Sequence, residues 1–289
     1  MKKSKIYLTV IVSLFVFIGS SCNKYNDSGY QYGNQGTRDT TVIDVQLTTN
    51  AKFGSIITDG QGRSLYFFGD DANGMSSCTN GCLAVWPVFY KENPSVGTGL
   101  SKSDFSSITR PDGTNQTTYK GWPVYYYAGD NKTGDANGDA INNIWVVAKA
   151  DYSVMVSKGQ LVGFDSLQYT SDGIAGIGVS EYLSDGTGRT LYLFTKDSSS
   201  VNKFSNNDAA HDAVWPIYDV SSVGSLPSFL DKTQFKTITV FNKTQLVYKG
   251  HPLYYFGQDN MQRGNTKGVS FPIPGGAIWK INNSKTVPQ

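Results

Sequence analysis

Apolar and aromatic residues in this chain come in runs of five or six, bounded by glycine turns and polar loops, and no stretch keeps a helical 3.6-residue period over ten or more positions. Four runs share the pattern Gly-x-x-[Leu/Val]-Tyr-x-[Phe/Tyr]-x-x-Asp, at residues 62–71, 121–130, 188–197 and 250–259. Each opens on an Asp-Gly or Lys-Gly turn, where glycine takes a positive φ at no steric cost, and continues as a strand. Two-residue alternation puts Tyr66 and Phe68 on one face and Leu65 and Phe67 on the other, so both faces must be covered. Residues 54–58 and 114–120 read as hairpin partners, and the tryptophan segments 84–90 and 144–148 as third strands. The prediction is an all-β chain.

The repeat has a larger period as well. A tryptophan follows each run after a polar loop, at Trp86, Trp145, Trp215 and Trp279. The first and third units share Asp-Gly-x-Gly-Arg at residues 59–63 and 185–189 and end in Trp-Pro, whereas the second and fourth share Tyr-Lys-Gly-x-Pro at residues 119–123 and 248–252. Two tandem homologous β-domains follow, expected at 42–160 and 161–289, each a pair of diverged three-stranded units with about twelve strands in all. The alternative architecture is a single four-bladed, propeller-like ring.

Residues 1–22 read as an export signal, with Lys2, Lys3 and Lys5 ahead of an apolar run at 6–18 and Gly19-Ser20-Ser21 ahead of Cys22. The run is shorter than a spanning helix of about 20 residues, and a cysteine directly after small residues resembles the bacterial lipobox, where the sulfur is lipidated. Residues 23–41 are polar and glycine-rich and read as a flexible tether. The expected address is the bacterial cell envelope, lipid-anchored at Cys22; Asn23 differs from the aspartate associated with inner-membrane retention, which points to the outer membrane. Net charge is +2 with Lys and Arg scattered, so no basic stripe exists for a phosphate backbone and nucleic acid is not expected as a partner.

The motif resembles that of the secreted-repeat lipoproteins carrying Y-x4-D, here Tyr66 with Asp71, Tyr125 with Asp130, Tyr192 with Asp197 and Tyr254 with Asp259. The family's cysteine element resembles residues 77–87, with Cys78, Cys82, Trp86 and Pro87. The similarity runs over roughly 50–148 and 176–282. It implies a bacterial envelope lipoprotein and no particular reaction. In the second half Asn207 and His211 stand where Cys78 and Cys82 stand, so any cysteine chemistry belongs to the first half alone.

Candidate chemistry is sparse. A phenol and a carboxylate are capable of acid–base work, but four copies exceed the needs of one reaction, and the motif reads as a signature of the fold. Cys78 and Cys82, exported and four apart, read as a structural disulfide; the alternative is a redox pair, or with Met75 a Cu(I) site of soft ligands. Asp135, Asn137 and Asp139 have the alternate spacing of a calcium loop without its glycine and distal glutamate, and read as turn residues. The histidines are His211 and His251, the latter in the place of Trp122, and no catalytic triad or two-histidine metal motif is present. Tyr119, Trp122, residues 125–127, Tyr248, Tyr254 and Tyr255 could line a groove. The expected function is a binding or scaffold module for an unknown envelope partner or extracellular ligand, without a cofactor; the alternative is a redox or copper-handling protein.

Overall fold

The computed structural model describes residues 42–273 and 278–289; the signal, Cys22 and the tether lie outside them. Residues 41–289 form one compact unit. Its first half contains β1 (Val45–Asn50), β2 (Gly54–Asp59), β3 (Tyr66–Phe68), a short helix α1 (Gly81–Val85), β4 (Phe105–Thr109), β5 (Asn115–Tyr119), β6 (Trp122–Pro123) and β7 (Trp145–Val147). The second half contains β8 (Met155–Val162), β9 (Gln168–Tyr169), β10 (Val179–Ser184), β11 (Tyr192–Phe194), a short helix α2 (Ala209–Asp212), β12 (Phe235–Val240), β13 (Lys243–Tyr248), β14 (His251–Tyr254) and β15 (Trp279–Ile281). The chain is mostly β in tandem halves, built of small sheets, with no closed barrel among the described residues.

Sheet order shows how the units combine. In the second half the sheet runs β12-β13-β14-β11-β15. The first half repeats it as β4-β5-β6 and β3-β7, joined by the antiparallel bridge between Tyr66 and Tyr125. Each motif strand therefore pairs with strands of its sister unit, β3 with β7 and β11 with both β14 and β15. No unit is a separate three-stranded blade, which is why the four-bladed ring does not form. A hairpin precedes each sheet, β1 with β2 and β8 with β10.

The turns follow from the sequence. Lys120 and Gly121, at φ 47° and 79°, join β5 to β6, and Lys249 and Gly250, at φ 51° and 87°, join β13 to β14. Two successive positive φ values match the twist of flanking strands, and glycine supplies the second without strain. Residues 84–90 depart from the expected strand: after α1 only Val88 bridges, to Tyr125. The helix takes the first two residues and Pro87 lacks an N–H, leaving scattered bonds such as Tyr126 N–H to Pro87 O at 2.7 Å and Phe89 N–H to Val124 O at 3.0 Å. The second half has the corresponding bridge, Ile217 to Tyr254, after Trp215-Pro216.

The tryptophans form the centre of each half. Trp86 stacks on Trp145 at 3.7 Å between centroids, and Trp215 on Trp279 at 3.8 Å. All four are buried. Each stack joins sister units, burying the large apolar area that aromatic side chains bring to a core.

The halves share apolar packing, with Phe67, Trp122, Tyr182 and Trp215 in one cluster. Trp122 Nε1 donates to Gly186 O at 3.0 Å, and Arg263 lies 4.6 Å over the Trp122 ring while donating to the carbonyls of Ala72 and Lys120 at 2.8 and 3.1 Å. Strand β8 spans the expected boundary at 160/161 and pairs with β10 over 155–160 and with β9 over 161–162, both in the second half.

Candidate functional site

Every motif tyrosine reaches the aspartate of its sister unit rather than its own. Tyr66 Oη donates to Asp130 at 2.6 Å and Tyr125 to Asp71 at 2.6 Å; Tyr192 donates to Asp259 at 2.7 Å and Tyr254 to Asp197 at 2.8 Å. The other carboxylate oxygen of each aspartate accepts a backbone N–H from the loop beyond it, from Ser77, Asn137, Lys203 and Lys267. The strand fixes the tyrosine, and the aspartate leaving the sister strand closes its own loop onto it.

Burial shifts both members of these pairs. Burial pushes the Asp71, Asp197 and Asp259 carboxyls up to about 6 against the pull of their hydrogen bonds, and raises Asp130 as well. Burial, reinforced by the neighbouring carboxylates, drives the four phenols well above their ordinary range. The tyrosines are fully buried, so no substrate reaches their hydroxyls.

A second tyrosine–aspartate contact supports each Asp-Gly-x-Gly-Arg turn. Asp59 Oδ1 accepts the N–H groups of Gln61 and Arg63, both at 2.9 Å, while Oδ2 accepts Arg63 Nε and Tyr126 Oη, also at 2.9 Å. Asp185 repeats this with Thr187, Arg189 and Tyr255.

Cys78 and Cys82 are joined in a disulfide with Cα atoms 5.4 Å apart. Cys78 is buried, and the buried Arg110 donates to its carbonyl at 2.7 Å and to Gln116 at 2.6 Å, tying the loop to β5. Met75 is half exposed on the preceding turn. With the sulfurs joined there is no thiolate to bind Cu(I). At the corresponding loop of the second half, His211 stacks on Phe204 at 4.4 Å and Nδ1 contacts Asp212; Gln245 there takes a hydrogen bond from Asn202 where Gln116 takes one from Arg110.

Asp135 accepts the N–H groups of Asn131 and Lys132, and Asp139 accepts that of Val147 and the hydroxyl of Ser228. These carboxylates close turns, and among the described residues no group of three or more His, Cys, Asp or Glu is placed to hold a metal ion. Of the candidate groove aromatics, Tyr119, Trp122, Tyr125, Tyr248 and Tyr254 are core; Tyr126, Tyr127 and Tyr255 reach the surface.

A cleft of about 380 Å³ opens beside the first Asp-Gly-x-Gly-Arg turn, lined by Gln61, Arg63, Tyr126, Tyr127, Asp130 and Lys132 among others. The Arg63 guanidinium lies 4.0 Å over the Tyr126 ring. Its Nε is held by Asp59 and the side chain is 55% exposed, which leaves its outer edge open to the cleft. The side chains of Gln61, Tyr127 and Lys132 make no hydrogen bond among the described residues, so their donors also remain free. Asp130 is engaged by Tyr66 and Asn137. The arrangement brings one pre-oriented cation, stacked on a ring, beside polar side chains with free donors.

The second half closes the equivalent place. Arg189 donates to Tyr255 Oη at 2.9 Å and to Met261 Sδ at 3.4 Å, and is 24% exposed. Met261 stands two residues beyond its motif aspartate, where Lys132 stands in the first half. Sequence reading took Arg63 only as a turn residue and passed over Lys132; laying the two loops side by side gives the Lys132–Met261 difference directly.

No curated protein and no solved structure matches the chain. Among the described residues no helix is long and apolar enough to cross a membrane. The crossed pairs, the tryptophan stack and most strand residues of the first half lie in two segments, 47–90 and 106–149, and each segment matches one family model, a secreted repeat of unknown function, which fits an extracellular or envelope protein.

Proposed function

We propose that this protein is a bacterial envelope lipoprotein, anchored through Cys22 at the outer membrane, that binds an extracellular ligand or envelope partner in the first-half cleft. The observation that supports binding is the cleft itself: a stacked, half-exposed Arg63 beside free donors on Gln61, Tyr127 and Lys132, outside the hydrogen-bonded network of the fold. Such a volume falls within the range of small-ligand sites, and a few convergent polar groups against ring walls are their usual chemistry. The repeated tyrosines and aspartates act as scaffold, and the disulfide as a staple for one loop.

The binding role is tested by probing a mixed glycan and peptide array with the full chain, wild type beside Arg63→Ala. Signal on the wild type that disappears in the variant supports the reading; equal signal from both contradicts it. The anchor is tested separately by incorporation of a lipid precursor, which Cys22→Ala should abolish.

A further inference from the structure

The chemistry of the cleft names a ligand class. We infer that it takes a carboxylated saccharide, the acid group on Arg63 and Lys132 and the hydroxyls on Gln61 and Tyr127; this rests on the binding-module reading above. Arg63 presents a planar fork suited to a carboxylate. The turn and the Tyr126 ring hold it in place before any ligand arrives, which lowers the ordering cost of binding.

Charge selects a single acid group over a more highly charged one. The cleft offers Arg63 and Lys132 against Asp130, whose oxygens already accept from Tyr66 and Asn137. A monoanion balances that excess, whereas a dianion such as phosphate meets the Asp130 carboxylate. The remaining lining is neutral, with the Gln61 amide and the Tyr127 phenol as donors and Pro87 and Ala128 as apolar wall. A ring bearing several hydroxyls and one carboxylate uses all of these groups, and a simple organic acid leaves most of them unpaired.

The second half is a built-in control. There Met261 occupies the place of Lys132 and accepts from Arg189, whose guanidinium is also bonded to Tyr255 and Asp185, so the same turn carries no free fork. Only the first half is expected to bind.

The test is calorimetric titration of the full chain with galacturonate, galactose and inorganic phosphate, using wild type, Lys132→Met and Arg63→Gln. The expected result is galacturonate binding at least about tenfold tighter than either comparison, reduced about fivefold by Lys132→Met and about tenfold or more by Arg63→Gln, and weakened by added salt. Lys132 is exposed and bonds only through its backbone N–H and carbonyl, so its variant keeps the fold and a lost preference cannot be ascribed to unfolding. Neutral sugar or phosphate binding as tightly as the uronate, no uronate binding, or uronate binding unchanged in both variants overturns the inference. Neutral-sugar binding that Arg63→Gln removes overturns the acid class while leaving the binding module standing.

Discussion

The two halves of the molecule repeat one another where the fold is held and part company where ligands could enter. Both contain the crossed tyrosine–aspartate pairs, the stacked tryptophans and the Lys-Gly turn. They differ at Cys78–Cys82 against Asn207 and His211, at Lys132 against Met261, and at Trp122 against His251. What is duplicated answers to packing, and what is single marks the surfaces each half uses. Trp122 receives the second half through Gly186 and Arg263, whereas His251 is covered by the chain's own end through Val287 O at 2.9 Å.

The largest expected effect comes from breaking the duplicated centre. Trp145→Ala and Trp279→Ala should each cost about 3–5 kcal/mol, the usual loss for truncating a large buried aromatic, and each should lower a single unfolding transition for the whole unit. Two separate transitions in thermal or denaturant melts would show that the halves fold independently.

Next comes the junction. Arg263→Ala removes two hydrogen bonds to carbonyls and the stack on Trp122, for an expected loss of about 2–3 kcal/mol. Equilibrium unfolding in denaturant measures it; a change within about 0.5 kcal/mol, as for an ordinary surface site, would mean that the contact does not hold the halves.

The disulfide sharpens the comparison on one side only. A five-residue ring restricts the unfolded chain by about 2 kcal/mol on loop-entropy scaling. Cys78→Ser with Cys82→Ser should cost about that much, with no equivalent in the second half, and mild reductant should reproduce it.

pH shifts both halves together. Between about pH 4 and 6 the folded Asp71, Asp197 and Asp259, raised to about 6 by burial, keep protons that the unfolded chain has released. Stability therefore falls as pH rises through that window and levels off above it. His251 is held below its ordinary 6.5 by burial and works the other way, weakening the fold as pH drops past that value. Three carboxyls outweigh one imidazole, so the melting temperature should be higher near about pH 5 than near about pH 7.5; the reverse order would contradict the buried state of the aspartates.

Much of this was legible in the sequence. The glycine turns, motif strands and tandem period all follow from patterns that local sterics and two-residue alternation impose. The crossing of the pairs was not, because Tyr66 and Asp71 stand close in sequence while the bond joins Tyr66 to Asp130, and only the pairing of β3 with β7 brings these together. The strand expected at 84–90 is shortened to one bridge because α1 takes its first residues and Pro87 lacks an N–H. Arg63 was hidden because the same turn in the second half carries Arg189 in a closed setting, and side-chain exposure distinguishes them.

A double-mutant cycle tests the central claim that sister units are interlocked through crossed pairs. Tyr66→Phe with Asp130→Asn should show a coupling energy of about 1 kcal/mol or more, and Tyr66→Phe with Asp71→Asn should add within about 0.5 kcal/mol. Coupling of Tyr66 to Asp71 in place of Asp130 would contradict the crossed arrangement and return each motif to its own unit.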